Sequence, residues 1–263
     1  MKKLVICGDS YGYGIGCTNL ETQPFGVLTA KHFGWDLIRL ARGSASNYTI
    51  YLQGMYAADM KDPPHLVVLN QTSYDRIEWF AEGTNPIADH TALNINYHQY
   101  PPHNNIQPHH DKEMDYYFQG NPEYFPVILS EQIGGISDCL DTRTSIPNFT
   151  YYNRLKKESN EKLQLIVDYY VRVFDYNIKK NYDIGMLLQA YTYLKRKDIN
   201  CIIMTRDVEA FSKFIDKKDI MHQDWWELST RLPDTIGSRH TSEEGHKETA
   251  DRLIQHIKDA NLD

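Results

Sequence analysis

The sequence has little cysteine and no long hydrophobic run, and these absences exclude several classes of protein. Four cysteines occur in 263 residues, without the spacing of a metal site. We therefore expect reduced thiols and a cytoplasmic product. No stretch approaches the about 20 apolar residues that a membrane-spanning helix needs. The first apolar run covers only residues 4–7, which is too short for a signal peptide.

Positive charge is also scarce. The formal net charge is −7, which argues against a surface that binds nucleic acid or anionic lipid in general. We expect neither nucleic acid nor a membrane as a partner. The hydrophobic content of 41% is ordinary for a globular protein. The length suits one large α/β domain or two small ones, and it is ample for burying a core.

Signatures of nucleotide and metal cofactors are missing as well. Gly12, Gly14 and Gly16 alternate, but the dinucleotide fingerprint needs its third glycine where Cys17 stands. No Gly-Lys-Ser/Thr follows, so a phosphate loop is unsupported. The histidine-rich residues 103–113 fit no standard zinc spacing and favour a solvated polar loop. The sequence therefore predicts no cofactor and no metal.

Apolar runs alternate with segments of helical period. The first 70 residues read β-α-β-α-β, which predicts a parallel sheet with right-handed crossovers. Thr241 and Glu244 have the spacing of a capping box at the start of the last helix. The predicted strands are residues 3–7, 36–41, 65–69 and 200–205, and the predicted helices are about residues 23–33, 46–60, 158–180 and 183–197, with a last helix that closes the chain.

Residues 81–150 interrupt this alternation. They are rich in Asn, His, Pro and Tyr and have no sustained period. A structureless loop of that length is uncommon inside a compact domain. We therefore predict a single domain over residues 1–263 with an inserted lid or small subdomain at about 81–150. Its tyrosines suit a carbohydrate or protein contact surface, or simply packing within the loop.

Ser10 and His240 are the candidate reactive side chains. Ser10 ends a Gly-Asp-Ser turn directly after the first strand, where a sharp bend exposes a nucleophilic hydroxyl. A plain turn or helix cap is the alternative. His240 precedes the last helix, and its loop should reach the same carboxyl edge of the sheet. His246 shares a helical face with Ala250 and Ile257, so we expect it to pack against the sheet.

These segments together resemble the SGNH (GDSL-type) hydrolase family. Residues 8–10 match its first block, and residues 40–47 are similar to its second. Residues 70–78 resemble the third block of a divergent branch common in bacteriophage genomes, and residues 239–246 resemble the last block. The resemblance covers about residues 1–80 and 183–260. It implies a three-layer α/β/α sandwich with a parallel, flavodoxin-like sheet.

The resemblance also implies a reaction. Ser10 would attack a carboxylic ester, such as an O-acetyl group on a glycan, after His240 takes its proton. The oxyanion would be held by the backbone N–H of Ser10, a backbone N–H at Gly43 or Ser44, and a side chain of the third block. By strict register Thr72 takes the place of the family's asparagine, and Asn70 is the alternative. The expected substrate is a small-molecule or glycan ester.

The last block departs from the family at its acidic residue. The position three residues before the histidine is Gly237, and Asp234 lies three residues further back. Asp234 is the candidate third member of the triad, or a turn aspartate after Pro233. Arg76 and Glu78 read as a surface ion pair. The alternative function is that of a catalytically degenerate SGNH-fold protein, which would act as a binding protein or as a structural component of a virion. The sequence leaves open whether the chain forms a homo-oligomer.

Overall fold

A parallel sheet forms the centre of the computed structural model, which describes residues 1–41, 45–74, 76, 173, 175–235 and 240–263. The insertion predicted at 81–150 lies outside these residues, as do Gly43 and Ser44. In the described part, five strands pair in the order β2-β1-β3-β4-β5. This is the flavodoxin-like order, so the predicted α/β fold is confirmed. The strands are β1 Lys3–Cys7, β2 Asp36–Arg39, β3 Leu66–Asn70, β4 Asn200–Thr205 and β5 Ile220–His222.

Helices cover both faces of the sheet and give three layers. In β1, Val5 and Cys7 belong to the core that packs against α3 and α4. Leu4 and Ile6 belong to the core on the other face, with α2, α6 and α7. Strands buried on both faces read as continuous apolar runs. The described helices are α1 Ser10–Tyr13, α2 Phe25–Phe33, α3 Asn47–Ala58, α4 Tyr176–Arg196, α5 Val208–Phe211, α6 Trp225–Arg231 and α7 Glu243–Asp259, with a 3-10 helix at Lys217–Asp219.

The predicted helix boundary near residue 181 is wrong, because α4 runs unbroken from Tyr176 to Arg196. Asp175 caps it by accepting the backbone N–H groups of Asn177 and Ile178. Residues 181 and 182 include no proline or glycine that would end a helix. Of the helix predicted over 158–180, the residues before 173 lie outside the described part.

The capping box predicted at Thr241 and Glu244 is also wrong. Ser242 is the N-cap of α7. The Thr241 hydroxyl instead donates to the carbonyl oxygen of Leu232 at 3.0 Å. The sequence pattern assigned the Thr241 side chain to the cap of α7, but this side chain instead bonds the C-cap residue of α6.

Strand β5 and helix α6 are absent from the sequence prediction. Three residues of β5 pair with β4, and a run that short shows no readable period. The pairing extends the sheet by one strand. Helix α6 follows at once, and it brings Trp225 to the carboxyl edge where Ser10 lies.

Candidate active site

Ser10 lies in a tight turn at the carboxyl end of β1. It is the first residue of α1, and the Asp9 carboxylate caps this helix by accepting the N–H of Tyr11 at 3.0 Å. The side chain of Gln53 in α3 makes two hydrogen bonds to the backbone of Gly8. Its Oε1 accepts the N–H of Gly8 at 2.7 Å, and its Nε2 donates to the Gly8 carbonyl at 3.3 Å. The turn that carries the hydroxyl is therefore fixed from the neighbouring helix.

His240 meets this hydroxyl. Its Nε2 lies 2.7 Å from the Ser10 Oγ, which is an ordinary hydrogen-bond distance. Only 3% of Ser10 is exposed, so the expectation of an exposed hydroxyl is wrong. A hydroxyl that donates to an unprotonated imidazole nitrogen is the arrangement of an activated nucleophile and its base. The structure thus brings together the two side chains that the sequence analysis singled out, which are 230 residues apart.

The backbone of His240 is anchored by Asp234. The His240 N–H donates to Asp234 Oδ2 at 2.8 Å, and the Asp234 N–H donates to the His240 carbonyl at 2.9 Å. On the other side the chain passes very close to Gly16, where an added Cβ would lie 2.0 Å from the Thr241 carbonyl oxygen. Gly16 also has φ +104, so glycine is required there. A role for Asp234 on the imidazole ring itself stays a prediction.

An aromatic wall flanks the imidazole. The Tyr11 ring lies 4.6 Å from the His240 ring and stacks on Trp225 at 4.8 Å, centroid to centroid. The Tyr11 hydroxyl and the Ser229 Oγ are 2.9 Å apart. Packing of this kind limits the orientations that the imidazole can adopt. Trp225 was missed by the sequence analysis because α6 was missed.

The two candidate donors of the third block have different surroundings. The Thr72 hydroxyl donates to Asp9 Oδ2 at 2.6 Å, so its proton is already engaged. Asn70, the last residue of β3, is fully buried. Its Oδ1 accepts the indole N–H of Trp225 at 2.7 Å, while its Nδ2 has no hydrogen-bond partner among the described residues. Of the two, Asn70 is the side chain with donor capacity to spare.

Arg76 forms a partly buried ion pair with the buried Asp9, and its interpretation as a surface residue is wrong. Its Nη1 lies 3.0 Å from Asp9 Oδ2 and donates to the Ala45 carbonyl at 2.9 Å. The guanidinium therefore ties together the segments that follow β1, β2 and β3. The signal in the sequence was Asp9 itself, because a buried carboxylate beside a serine turn needs a charged partner. Glu78 lies outside the described residues.

His246 is buried against Phe25 and Trp225, as predicted. The His246 and Phe25 rings stack at 6.1 Å, and the His246 Nε2 lies 3.3 Å from the Ile15 carbonyl oxygen. Burial lowers the pKa of His246 to about 4. The ring is therefore neutral at physiological pH and bound to backbone, which leaves His240 as the candidate base.

The described residues contain no group of three or more His, Cys, Asp or Glu that could hold a metal. The histidine-rich residues 103–113 lie outside this part of the chain. Cys7, Cys17 and Cys201 are buried free thiols, and burial raises the pKa of Cys17 to about 12. None of the helices in the described ranges is long and apolar enough to cross a membrane.

Two solved structures are similar to this chain, whereas no family model and no curated protein matches it. One is described as a lipolytic protein of the G-D-S-L family from Desulfitobacterium hafniense DCB-2. It is 12% identical with a TM-score of 0.34, and the match covers 97% of this chain and 99% of that one. The other is the salicylyl-acyltransferase SsfX3 from a tetracycline biosynthetic pathway. It is 11% identical with a TM-score of 0.35, and the match covers 99% of this chain and 56% of that one. TM-scores this low do not establish a common fold, so the interpretation of the site depends on this chain's own geometry.

Proposed function

We propose that this chain is a serine hydrolase of the SGNH type that cleaves a carboxylic ester through Ser10 and His240. The observation that carries the proposal is the 2.7 Å contact between the Ser10 Oγ and the His240 Nε2. Its position at the carboxyl edge of a parallel sheet, where sites form in open α/β folds, supports it further.

The reaction needs two acyl transfers. The Ser10 oxygen attacks the ester carbonyl while the His240 Nε2 takes the hydroxyl proton. The tetrahedral intermediate collapses, and His240 returns that proton to the departing alkoxide, so that an alcohol leaves and an acyl-serine ester remains. Water then attacks the acyl carbon with His240 again as base, which releases the carboxylic acid and regenerates Ser10.

Three donors would stabilise the oxyanion. Ser10 is the first residue of α1, so its N–H has no intrahelical acceptor. Gly43 or Ser44 supplies a second backbone N–H in the proposal. Asn70 Nδ2 is the third, since it is unpaired among the described residues and the Thr72 hydroxyl donates to Asp9. Loss of one such donor typically slows acyl transfer by about 10²–10³-fold.

The proposed substrate class is a small-molecule or glycan ester, with an O-acetyl group as the specific expectation. Its support is the SGNH resemblance together with the abundance of tyrosine, asparagine and histidine in residues 81–150. Comparing turnover of an O-acetylated glycan with that of p-nitrophenyl acetate tests this choice. Faster hydrolysis of a longer aliphatic ester would replace it.

A fluorophosphonate probe tests the nucleophile. We expect the wild-type chain to be labelled at Ser10 and to turn over p-nitrophenyl acetate, and Ser10→Ala to lose both. Ser212→Ala is the matched control, because the Ser212 hydroxyl donates to the nearby Glu209 carbonyl oxygen at 3.1 Å. Labelling that survives Ser10→Ala would remove Ser10 as the nucleophile. A folded wild type with no labelling and no turnover would favour the degenerate, ligand-binding alternative.

A further inference from the structure

We propose that Trp225 is a positioning residue that holds the Asn70 amide with its NH₂ group toward the Ser10 turn. This inference depends on the proposed function, in which that NH₂ group stabilises the oxyanion. Trp225 lies at the start of α6, 155 residues from Asn70 in sequence, and touches Asn70 directly.

The contact chooses between the two ends of the amide. The indole Nε1 of Trp225 can only donate a hydrogen bond, and the amide of Asn70 has one accepting end and one donating end. The 2.7 Å contact therefore requires Oδ1 to face the indole. If the amide were flipped, the NH₂ group of Asn70 would face the indole N–H of Trp225. Two donors would then oppose each other in a buried site, where neither could bond to water instead. The orientation of Asn70 thus follows from the chemistry of its neighbour.

The other end of the amide faces the residues around Ser10. An added Cβ would lie 3.1 Å from Asn70 Nδ2 at Gly8 and 3.6 Å from it at Gly12. These two glycines bracket Ser10 and leave room for the NH₂ group beside the turn. A buried donor without a partner is unfavourable, because it has given up its hydrogen bond to water without a replacement. The amide of Asn70 therefore has unused donor capacity beside Gly8 and Gly12 of the Ser10 turn, which a developing negative charge at this turn would employ.

The indole is itself held firmly. Asp224 caps α6 by accepting the N–H of Trp226 at 3.0 Å, which fixes the backbone at this point. The Trp225 ring packs against Tyr11 at 4.8 Å and Phe25 at 5.6 Å. Only 8% of Trp225 is exposed. A rigid ring with one directional donor can fix a neighbouring amide without contacting the substrate.

Trp225→Phe tests the inference because it keeps an aromatic ring and removes the N–H. We expect kcat for p-nitrophenyl acetate to fall roughly 10- to 100-fold, with KM changed less than about twofold, because a transition-state interaction is weakened. Trp226→Phe is the matched control, since that neighbouring indole is 73% exposed, and it should behave as wild type. An unchanged kcat in a folded Trp225→Phe protein would overturn the proposal.

The double variant separates positioning from packing. In an Asn70→Ala background, Trp225→Phe should reduce kcat by less than about twofold, because the amide that it orients is gone. Independent, multiplying losses would show that Trp225 acts by packing and would overturn the proposal. If Trp225→Phe does not fold, benzothienylalanine at position 225 replaces the N–H with sulfur in a ring of the same shape, with the same expected loss.

A spectroscopic measurement distinguishes failure of this inference from failure of the proposed function. The ¹⁵N–¹H resonance of the Trp225 indole should shift upfield and exchange faster in Asn70→Ala than in wild type. That shift together with an unaltered kcat in Trp225→Phe would overturn the positioning role and leave the hydrolase proposal standing. Absence of the shift would overturn the hydrogen bond itself. Absence of Ser10 labelling in wild type would instead remove the proposed function.

Discussion

The Ser10 turn has a polar side and an aromatic side, and the two sides have different tasks. On the polar side, Asp9 accepts from Thr72 and pairs with Arg76. On the aromatic side, Tyr11 and Trp225 stack beside His240. Directional, charged contacts fix the backbone of the turn. Uncharged rings confine the imidazole without adding a competing charge next to it.

This difference suits the chemistry proposed for the site. A base that takes and returns a proton works best when its neighbours do not change charge with it. A turn that must keep one conformation is held better by hydrogen bonds to fixed groups. Substitution of His240 or of the rings that contact it should therefore change the rate, and substitution of the residues that contact Asp9 should change stability.

The largest expected effect is that of His240→Ala. We expect kcat/KM for p-nitrophenyl acetate to fall by about 10⁴-fold or more, and Ser10→Ala combined with it to add little, because the two residues act as a unit. His246→Gln should retain most of the activity. A folded His246→Gln protein that is inactive would transfer the role of base to the buried histidine.

On the polar side, Arg76→Met should lower the free energy of unfolding by about 3–5 kcal/mol, since it leaves the buried Asp9 carboxylate without its partner. Arg231→Met is the matched control. Its pair with Glu248 has side chains 48% and 36% exposed and should contribute about 0–1 kcal/mol. Urea unfolding of both variants measures the contrast. Equal losses would mean that burial of the Asp9 pair does not matter.

The buried imidazole on the aromatic side should make stability depend on pH. The pKa of His246 is lowered from 6.5 to about 4 in the folded state, so between these values the unfolded chain binds the extra proton. Stability is then greatest above pH 6.5 and falls as the pH drops toward 4, by about 3 kcal/mol from this group. His246→Gln should flatten that part of the unfolding profile. A profile unchanged by His246→Gln would contradict the assignment.

The smallest expected effect is that of Asp234→Asn. The amide oxygen can still accept the backbone N–H of His240, so if Asp234 acts through this hydrogen bond, kcat should fall by about tenfold or less. The pH profile of kcat should keep its shape. A fall of about 10⁴-fold would instead show that Asp234 orients the imidazole ring, as the acid of a full triad does.

The elements that the sequence predicted well are those with a long apolar signal. The runs at 200–205 and 65–69 became β4 and β3 with bounds that differ by at most one residue. Ser10 and His240 were found because each lies next to a strand or helix with a clear start. The chemistry of these side chains was readable locally, and the sheet edge on which they meet follows from parallel topology.

Other features depended on contacts that no local pattern records. Strand β5 is three residues long and exists because β4 offers it a pairing edge. Thr241 had the right spacing for a helix cap and donates to Leu232 instead. Arginine usually lies at the protein surface, and nothing near Arg76 in the sequence indicates that its partner is Asp9, 67 positions away in the chain.

The sequence by itself determined the parallel α/β plan and the identity of the two candidate reactive side chains, because hydrophobic period and glycine turns act over a few residues. The tertiary structure alone decided which oxygen Thr72 bonds, which end of the Asn70 amide faces Trp225, and which ring flanks His240. Those choices depend on donors and acceptors brought together across the sheet. Which donor meets which acceptor depends on their distance in the folded protein, and the spacing of residues along the chain does not give that distance.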